Sequence, residues 1–305
     1  MSIDIDGAVA RLRDGGLVAF PTETVYGLGA DATNDNAVRR LFSVKGRPAD
    51  HPVIVHIADI AQLDAWARDV PTTARTLARH FWPGPLTLIL PRRPGVSLLV
   101  TGGQDSVGLR CPSHPVARAL LGAFGGALAA PSANRYGHVS PTNAQHVRAE
   151  FPGRELMILD GGDCPLGIES TIVAFDGDRP RVLRPGSIAD EDIAAAAGLA
   201  LAVDMTLLPR VPGSVARHYS PLTPAELVAP GQLEQRAAQL RARGLTVATL
   251  PCADRRDAAA AEYARQLYAR LRELDSRAAA RILIEAVPHG AAWLAIRDRL
   301  RRAAG

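Results

Sequence analysis

A single lysine stands out among the basic residues. Lys45 is the only lysine in the chain, and every other side chain among its 35 Lys and Arg residues is arginine. Lysine is a compact point charge and arginine a planar fork, so the two meet a phosphate differently. Lys45 and Arg47 flank Gly46 after a helical stretch, and we interpret them as a clamp for a polyphosphate. The alternative is that the position of the last lysine is accidental, and no P-loop sequence is present.

Two histidines, His51 and His56, follow this segment. They could suggest a metal site, but no third ligand lies at a suitable spacing. The stronger interpretation is a histidine that hydrogen-bonds at the end of a strand. The sequence therefore predicts no metal ion held by the protein itself.

The segment Pro21–Gly29 combines the end of an apolar strand with polar groups. It presents the hydroxyls of Thr22 and Thr24, the carboxylate of Glu23, and glycines. Glycine lets backbone amides approach a ligand closely, so a turn of this kind suits a small polar molecule. In the alternative interpretation Glu23 caps the turn and Tyr26 packs in the core.

An arginine closes the predicted strand Ser106–Arg110. Arginine can hold a carboxylate through two parallel hydrogen bonds, so Arg110 is a candidate ligand for a carboxylate substrate. The alternative, and the commoner fate of any one arginine, is an ion pair at the surface.

A second polar loop begins at Ala130 and contains Ser132, Asn134 and Ser140. Its hydroxyls and amide can hydrogen-bond a nucleotide. No Gly-x-Ser-x-Gly elbow surrounds Ser132, so a hydrolase is not predicted. The alternative role is local, because Ser140 or Thr142 can cap the helix that follows.

Polar motifs also occur further along the chain, at Glu169-Ser170-Thr171, at Arg184 and at Arg217-His218-Tyr219. The last of these lies in residues 204–224, a stretch with four prolines and little periodicity, which predicts a linker. A simple spacer has no need of arginine, histidine and tyrosine. We therefore predict that the linker folds over a site as a lid.

The elements that must hold these residues form two patterns. Before residue 204 the predicted strands are short and numerous with irregular loops, which favours an α/β fold with a mixed sheet and flanking helices. After residue 224 strands and helices alternate, which predicts a small α/β domain with a parallel sheet. We divide the chain into residues 1–203, a linker and lid at 204–224, and a C-terminal domain at 225–305.

Composition limits the class of protein. A length of 305 residues suggests about two domains, and 47% hydrophobic with 22% charged residues is typical of a globular protein. No apolar run approaches the ~20 residues of a membrane span, and the N-terminus lacks a signal-peptide pattern. The three cysteines have no Cys-x-x-Cys spacing, which indicates reduced thiols. We expect a cytoplasmic protein without membrane contact.

Positive charge is concentrated in the C-terminal part. Residues 225–305 hold 14 Arg against 9 Asp or Glu, whereas the first 224 residues hold 21 basic against 22 acidic residues. Such a charge can attract an anionic partner. More often, scattered arginines on helices form a solvated face.

Together these segments resemble the YrdC-like family of threonylcarbamoyl-AMP synthases, in its long form with an added C-terminal domain. The resemblance runs in collinear order from about Gly15 to Pro221. It is carried by Pro21–Leu28, Lys45–Pro48, Pro131–Asn134, Glu169–Thr171 and the linker. Each motif is weak alone, but five in order are specific.

The resemblance implies a large YrdC-like mixed twisted sheet with flanking helices and a concave site, plus a small Rossmann-like domain. It implies condensation of L-threonine, bicarbonate and ATP to threonylcarbamoyl-AMP and pyrophosphate, with Mg²⁺ accompanying ATP. A separate transferase would then modify the adenosine beside the anticodon of certain tRNAs, and tRNA itself is a possible partner. Positioning and charge neutralisation would do most of the catalysis.

The resemblance also implies roles for individual residues. Lys45 and Arg47 would be catalytic and hold the ATP phosphates. The rest of the ATP site would comprise His51, Ser106, Ser132, Asn134, Ser140, Arg184 and Tyr219. L-Threonine would be surrounded by Thr24, His56, Arg110, Ala130 and Ser170, with Thr22 a further candidate.

The chain departs from the family pattern at two positions. His51 stands where asparagine is common, which puts its contact with ATP in question. Ser214 stands where the linker often has methionine, which puts docking of the lid in question.

Three rival functions remain open. A non-catalytic RNA-binding or nucleotide-binding module should carry a dense basic patch with aromatics, but aromatics are 5% and the first part is near neutral. A carbamoyltransferase of the hydrogenase-maturation type carries cysteine-rich zinc modules, which this chain lacks. A relative that binds nucleotide without making the adenylate is disfavoured by the lid segment around Tyr219.

Overall fold

The computed structural model describes residues 3–202, 209–213 and 219–305. Ser214, Arg217 and His218 of the predicted lid lie outside these ranges. The described helices are α1 (Ile5–Arg13), α2 (Asp35–Lys45), α3 (Leu63–Trp66), α4 (Thr72–Phe81), α5 (Leu98–Thr101), α6 (Pro115–Phe124), α7 (Ala144–Glu150), α8 (Asp190–Ala197), α9 (Leu233–Arg241), α10 (Ala260–Ser276) and α11 (Leu294–Ala304). None of them is long and apolar enough to cross a membrane.

Twelve strands are described, and they form two sheets. They are β1 (Val18–Phe20), β2 (Gly27–Asp31), β3 (Ile54–His56), β4 (Leu86–Pro91), β5 (Ser106–Arg110), β6 (Leu128–Ala129), β7 (Met157–Ile158), β8 (Thr171–Asp176), β9 (Arg179–Arg184), β10 (Ala225–Val228), β11 (Val247–Leu250) and β12 (Arg281–Glu285). The first nine form one sheet and the last three another.

The nine-stranded sheet is mixed, as predicted. Its order is β7-β1-β2-β6-β3-β5-β4-β8-β9, with β3 and β5 parallel and β6 antiparallel to β3. His56 lies opposite Arg110 in the register of β3 and β5. Because parallel strands end at the same edge of a sheet, their last residues gather there. The sheet thus brings together two residues that are 54 positions apart in the sequence.

The segment Pro21–Gly29 corrects one prediction. Its last residues are not a turn but the start of β2, which pairs antiparallel with β1 so that Val18 lies opposite Gly29. A Cβ atom on Gly29 would lie 2.9 Å from Cε1 of Phe20. Glycine is therefore needed at position 29 for close packing against the phenylalanine ring, whereas Gly27 of the same segment lines a cavity.

Helix α2 explains the position of the lysine motif. Its N-terminus is capped by Asn34, whose side chain accepts hydrogen bonds from the amides of Asn36 and Ala37. Its C-terminus ends at Gly46, which has a left-handed φ of 63°. Such a cap suits glycine and turns the chain sharply after the last helical residue. Lys45 is that last residue, so the cap fixes where its side chain begins.

Apolar residues cover both faces of the large sheet. Along β1, Ala19 packs with Leu28 and Leu41 on one face, whereas Val18 and Phe20 pack with α1 and α6 on the other. The alternation follows the two-residue repeat of a strand. The helices on both faces hold the strand ends in fixed positions.

The C-terminal sheet is parallel, which confirms the predicted α/β unit. Its order is β10-β12-β11, so the last strand of the unit lies in the centre. Leu283 packs against α9, whereas Ile282 and Ile284 pack against α10. Helices therefore cover both faces, and the central strand is buried on each side.

The two parts of the chain share one apolar cluster. Val25, Val139 and Ile168 belong to the loops of the large sheet, and they pack in the same cluster as Leu267 and Tyr268 of α10. Tyr219, from the predicted lid, is also in it. The C-terminal domain is therefore packed directly behind the loops that carry the polar motifs. The predicted boundaries at residues 203 and 224 stay predictions.

Candidate functional site

A small cavity lies where the strand ends, the polar loops and residues 212–213 meet. Its volume is about 50 Å³. It is lined by Thr22, Val25, Gly27, Arg47, Ile54, His56, Arg110, Ala130, Pro131, Ser132, Glu169, Ser170, Arg184, Pro212, Gly213 and Tyr219. A larger open groove of about 1090 Å³ runs along Trp66 and Leu98, but its lining includes none of the predicted site residues.

Arg110 is buried at the edge of the cavity and meets a carboxylate of the protein itself. Its Nη2 donates to Oε1 of Glu23 at 2.7 Å, and the amide of Ser113 donates to Oε2 at 3.0 Å. Burial raises the pKa of Glu23, but the charge of Arg110 and these hydrogen bonds bring it below its ordinary value. Nε of Arg110 has no hydrogen-bond partner among the described residues. The guanidinium thus keeps a buried donor for a ligand.

His56 lies beside Arg110 and is neutral. Burial lowers its pKa to about 3, with a further contribution from the charge of Arg110. The ring is held edge-on against Phe20, with centroids 6.1 Å apart. Within the described chain its Nδ1 also has no hydrogen-bond partner. A neutral imidazole can accept or donate a hydrogen bond here, but it adds no positive charge.

Two threonines form a small hydroxyl pair under this corner of the cavity. Oγ1 of Thr22 lies 2.8 Å from Oγ1 of Thr24 and donates to the carbonyl of Val25 at 2.7 Å. Both threonines are buried, and Thr22 lines the cavity. Thr24 lies directly behind it.

Lys45 is buried and directed at the backbone of the second polar loop. Its Nζ donates to the carbonyl of Ser132 at 2.5 Å and to the carbonyl of Asn134. Burial lowers its pKa well below the ordinary value, and the nearby charge of Arg47 lowers it further. The side chain lies behind the cavity wall. Oδ1 of Asn134 has no hydrogen-bond partner in the described ranges.

Arg47 reaches the cavity itself. Its Nη2 donates to the carbonyl of Pro52 at 2.6 Å, and its guanidinium lies 5.7 Å from the ring centroid of Tyr136. Burial lowers its pKa to about 10, so it stays positively charged at neutral pH. His51 lies on the outer side, with Nδ1 at 2.9 Å from the hydroxyl of Tyr136.

Arg184 joins the large sheet to residues 209–213. Its Nη2 donates to the carbonyl of Ser170 at 2.8 Å and to Oγ of Ser170 at 3.1 Å. Its Nη1 donates to the carbonyl of Pro212 at 3.0 Å. This one buried side chain therefore fixes the linker against the strand end that carries Ser170.

The linker closes the cavity at Gly213 and Tyr219. Tyr219 is buried, has a left-handed φ of 60°, and stacks on Tyr268 with ring centroids 5.8 Å apart. A Cβ atom on Gly213 would lie 2.0 Å from the hydroxyl oxygen of Tyr219. Only glycine fits this contact.

A buried carboxylate, Glu169, links the cavity to the C-terminal domain. Its Oε1 accepts from the hydroxyl of Ser140 at 2.6 Å. Its Oε2 accepts from the hydroxyl of Tyr268 at 2.8 Å and from Nε of Arg299 at 2.7 Å. Sequence reasoning included Glu169 only as part of a motif and missed Tyr268 and Arg299 altogether. Nothing in the sequence around Arg299 distinguishes it from the other C-terminal arginines.

The structure brings most of the predicted site residues together. Those that line the cavity are Arg47, His56, Arg110, Ala130, Ser132, Ser170, Arg184 and Tyr219, with Thr22. Those buried near it without lining it are Thr24, Lys45, Asn134 and Ser140.

Ser106 lies apart from this group. It is the first residue of β5, opposite Pro91, whereas Arg110 is the last. Four strand residues span roughly 13 Å. Ser106 lies two residues after Gln104, whose side chain hydrogen-bonds the backbone amide and carbonyl of Arg210 in the linker.

No group of three or more His, Cys, Asp or Glu residues in the described chain could hold a metal ion. The two carboxylates nearest the cavity are already engaged, Glu23 by Arg110 and Glu169 by Arg299. These residues do not form the oxygen-rich shell that Mg²⁺ requires.

Two family models match the chain. The Sua5–YciO–YrdC model, described as telomere recombination, matches residues 10–186. A second model, described as the C-terminal domain of threonylcarbamoyl-AMP synthase, matches residues 188–305. Together they cover nearly all of the chain, with the junction between them after β9.

Individual relatives agree with both matches. The threonylcarbamoyl-AMP synthase of Bacillus subtilis is 41% identical over 98% of this chain and 92% of its own length. That of Pyrococcus abyssi is 40% identical over 98% and 93%. The crystal structure of Pyrococcus abyssi Sua5 complexed with L-threonine has a TM-score of 0.90 at 39% identity, covering 98% of this chain and 94% of that one. The chain therefore belongs to the Sua5–YciO–YrdC family, among its threonylcarbamoyl-AMP synthases with a C-terminal domain.

Proposed function

We propose that this chain condenses L-threonine, bicarbonate and ATP to L-threonylcarbamoyl-AMP and pyrophosphate. The observation that carries the proposal is a pair of buried nitrogens on the wall of one cavity, Nε of Arg110 and Nδ1 of His56, which have no hydrogen-bond partner among the described residues. Buried polar atoms without partners are rare and call for an explanation, and a polar ligand supplies one. The relative from Pyrococcus abyssi was crystallised with L-threonine, which makes threonine the first ligand to test.

The threonine site is built around Arg110. Its guanidinium faces the threonine carboxylate, and Glu23 holds its orientation from behind. His56 provides a neutral hydrogen-bonding group beside it. Ala130, Ser170 and Thr24 complete the surroundings. The strand ends fix these groups before the substrate arrives, so little further entropy is lost when the reacting groups are oriented.

The ATP site extends from Arg47 toward the linker. Arg47 and Arg184 are charged groups on the cavity wall, and they neutralise phosphate oxygens. Lys45 supports the same wall by holding the carbonyls of Ser132 and Asn134. Ser140, Tyr219 and His51 are the remaining candidates for the nucleoside and the phosphates, whereas Ser106 lies at the far end of β5 and stays a prediction from the sequence.

The linker acts as a lid over this site. A cavity of about 50 Å³ has room for about one or two water molecules, not for a nucleotide. Pro212, Gly213 and Tyr219 close it. ATP entry therefore requires these residues to move away, and their return excludes water from the reacting groups.

The reaction has two bond-forming steps. The threonine amine attacks the carbon of bicarbonate, water is lost, and a carbamate forms. A carbamate oxygen then forms a bond to the α-phosphorus of ATP. At the same time the bond between the α-phosphorus and the oxygen that bridges it to the β-phosphorus breaks, and pyrophosphate leaves. Neither step needs a protein nucleophile. The side chains position the reactants and neutralise the growing negative charge.

Magnesium enters as part of the substrate. The residues around the cavity do not supply a magnesium cage, so Mg²⁺ would be held mainly by the ATP phosphates and water. The product would pass to a separate transferase that modifies the adenosine beside the anticodon of tRNA. A cytoplasmic location and direct contact with tRNA stay predictions.

The test is pyrophosphate release by the purified full-length protein with Mg²⁺ and ATP. We expect release only when both L-threonine and bicarbonate are present, with the carbamoyl adenylate identified by mass spectrometry. Pyrophosphate release that does not depend on threonine, or binding of RNA without formation of any adenylate, would contradict the proposal and favour a binding module.

A further inference from the structure

Arg299 is a fully buried cation of the C-terminal domain that reaches into the first domain. It lies on α11, and its side chain is 0% exposed. Its Nη2 donates to the carbonyl of Pro185 at 3.1 Å, and its Nη1 donates to Asp298 at 2.7 Å. A buried charge is costly unless it is paired and hydrogen-bonded, and this one is paired on several sides.

The partner of Arg299 on the cavity wall is Glu169. Burial raises the pKa of Glu169, but the charges of Arg299 and Arg184, together with hydrogen bonds from Ser140 and Arg299, bring it below its ordinary value, so the carboxylate stays ionised. The ionised carboxylate accepts a hydrogen bond from the hydroxyl of Ser140 at 2.6 Å. Arg299 therefore controls, through one intermediate group, the position and the hydroxyl direction of Ser140.

Arg299 also holds the lid residue Tyr219. The guanidinium carbon lies 5.1 Å from the centroid of the tyrosine ring. The same ring stacks on Tyr268, whose hydroxyl donates to the same carboxylate, Glu169. Tyr219 thus contacts both a cation and an aromatic ring of the C-terminal domain, and a buried cation attracts the face of an aromatic ring.

We propose that Arg299 is a positioning residue of the nucleotide site, through which the C-terminal domain fixes Ser140 and Tyr219 for ATP. This inference rests on the function proposed above, because it assigns those two residues to ATP. It gives the C-terminal domain a direct part in the reaction. Without Arg299, Arg184 still holds the lid at Pro212, but Tyr219 loses its contact with the guanidinium.

The simpler alternative is that Arg299 only stabilises the contact between the two domains. Removing one partner of a buried ion pair is strongly destabilising, because the other charge is left unpaired. A loss of activity in a single variant is therefore not enough. The test needs a variant that removes both charges, and a readout that separates ATP from threonine.

The variants are R299M, R299K, E169Q and the double variant E169Q/R299M, all in the full-length protein. R299K keeps the charge but loses the planar fork that contacts Glu169, Pro185 and the tyrosine face. The control is R236M, because Arg236 also bonds a glutamate, Glu226, but does so within the C-terminal domain and away from the cavity. Each variant is compared for its melting temperature, KM for ATP, KM for L-threonine and Kd for ATP without turnover.

We expect R299M and R299K to raise both the KM and the Kd for ATP about tenfold or more, the loss expected for one oriented charged contact. KM for L-threonine should change by less than about twofold. The double variant should recover part of the melting temperature lost in R299M, because Glu169 no longer carries a charge without Arg299, yet keep the weak ATP binding. R236M should match the wild type in every readout.

Three results would overturn the inference. The first is wild-type ATP binding in R299M and R299K. The second is a double variant that recovers ATP binding together with stability, and the third is an equal rise in both KM values. Should R299M fail to fold, R299K and the double variant still decide between the two roles. If the wild type makes no adenylate, the proposed function fails, whereas the Kd for ATP still reports on Arg299 independently.

Discussion

The two sides of the cavity are built differently. On the side of the large sheet, Arg110 and His56 each keep a buried nitrogen without a partner in the described chain. On the side of the C-terminal domain, Glu169 has both oxygens hydrogen-bonded and Arg299 has contacts from all three of its nitrogens. The groups on the first side can still hydrogen-bond a ligand, whereas Glu169 and Arg299 on the second side already hydrogen-bond within the protein. The difference separates groups that meet a substrate from groups that hold others in place.

The largest expected effect comes from removing Arg110, whose Nε has no hydrogen-bond partner among the described residues. R110M should lower kcat/KM for L-threonine by about 100-fold to 1000-fold, since the carboxylate loses its buried charged partner. The change also leaves Glu23 unpaired, so R110M/E23Q is measured beside it and should show the same loss with better stability. R92M is a matched control, because Nε of Arg92 also lacks a partner in the described residues but does not line the cavity. A wild-type KM for threonine in R110M/E23Q would break the comparison.

A somewhat smaller effect is expected at the lone lysine. K45A should lower kcat/KM for ATP about 100-fold, because the loop that carries Ser132 loses the donor that positions it and a small misplacement of a site is costly. Stability should fall by about 1–3 kcal/mol, because the carbonyls of Ser132 and Asn134 lose a buried donor. Steady-state kinetics and urea unfolding measure the two. Unchanged adenylate formation by folded K45A would show that Lys45 does not position this loop for the reaction.

The contact between Gly213 and Tyr219 in the linker tests the side of the cavity whose groups are already hydrogen-bonded. G213A should lower kcat/KM for ATP about tenfold, because its φ of 80° strains the backbone and the new Cβ would collide with the hydroxyl of Tyr219. G244A is the matched control, since Gly244 has a φ of 81° and open space around its Cβ position. Steady-state kinetics of both variants separates strain from collision. If G213A and G244A behave alike, Tyr219 is not held in place by this contact.

The smallest effect concerns stability against pH. His56 has a pKa of about 3 in the folded protein and about 6.5 when unfolded, so the unfolded chain binds more protons between these values. The free energy of unfolding therefore decreases as the pH falls below 6.5, and His56 lowers it by about 2 kcal/mol at pH 5. Urea unfolding of H56Q between pH 5 and 7 should show a shallower pH dependence than that of the wild type. Equal slopes would mean that His56 is not buried in its neutral form.

Much of the fold follows from local patterns. The predicted strand Ser106–Arg110 agrees with β5 residue for residue. A short apolar run with a charged end carries a strong local signal. Helix α1 was missed, although Ile5, Val9 and Leu12 have helical spacing. Strand β2 was missed because its glycines are typical of turns.

The candidate site was predictable only in part, for a physical reason. The position of Arg110 at the end of an apolar strand identified it as a candidate carboxylate ligand, whereas the roles of His56 and Ser170 came from the family resemblance. The partner of Glu169 could not be found in this way, since Arg299 is 130 positions away and lies on an ordinary amphipathic helix. The direction of the Lys45 side chain was also beyond the sequence, because it depends on how the loop at Ser132 folds back on α2.

The most direct test of the account is calorimetric titration of the full-length protein with L-threonine and with L-threonine amide. The amide replaces the carboxylate that Arg110 would meet with a neutral carboxamide. We predict that L-threonine binds and that the amide binds about 100-fold more weakly, as expected when a buried charged group is left unpaired. Equal affinity for the two ligands would contradict the claim that the unpartnered side of the cavity recognises the threonine carboxylate.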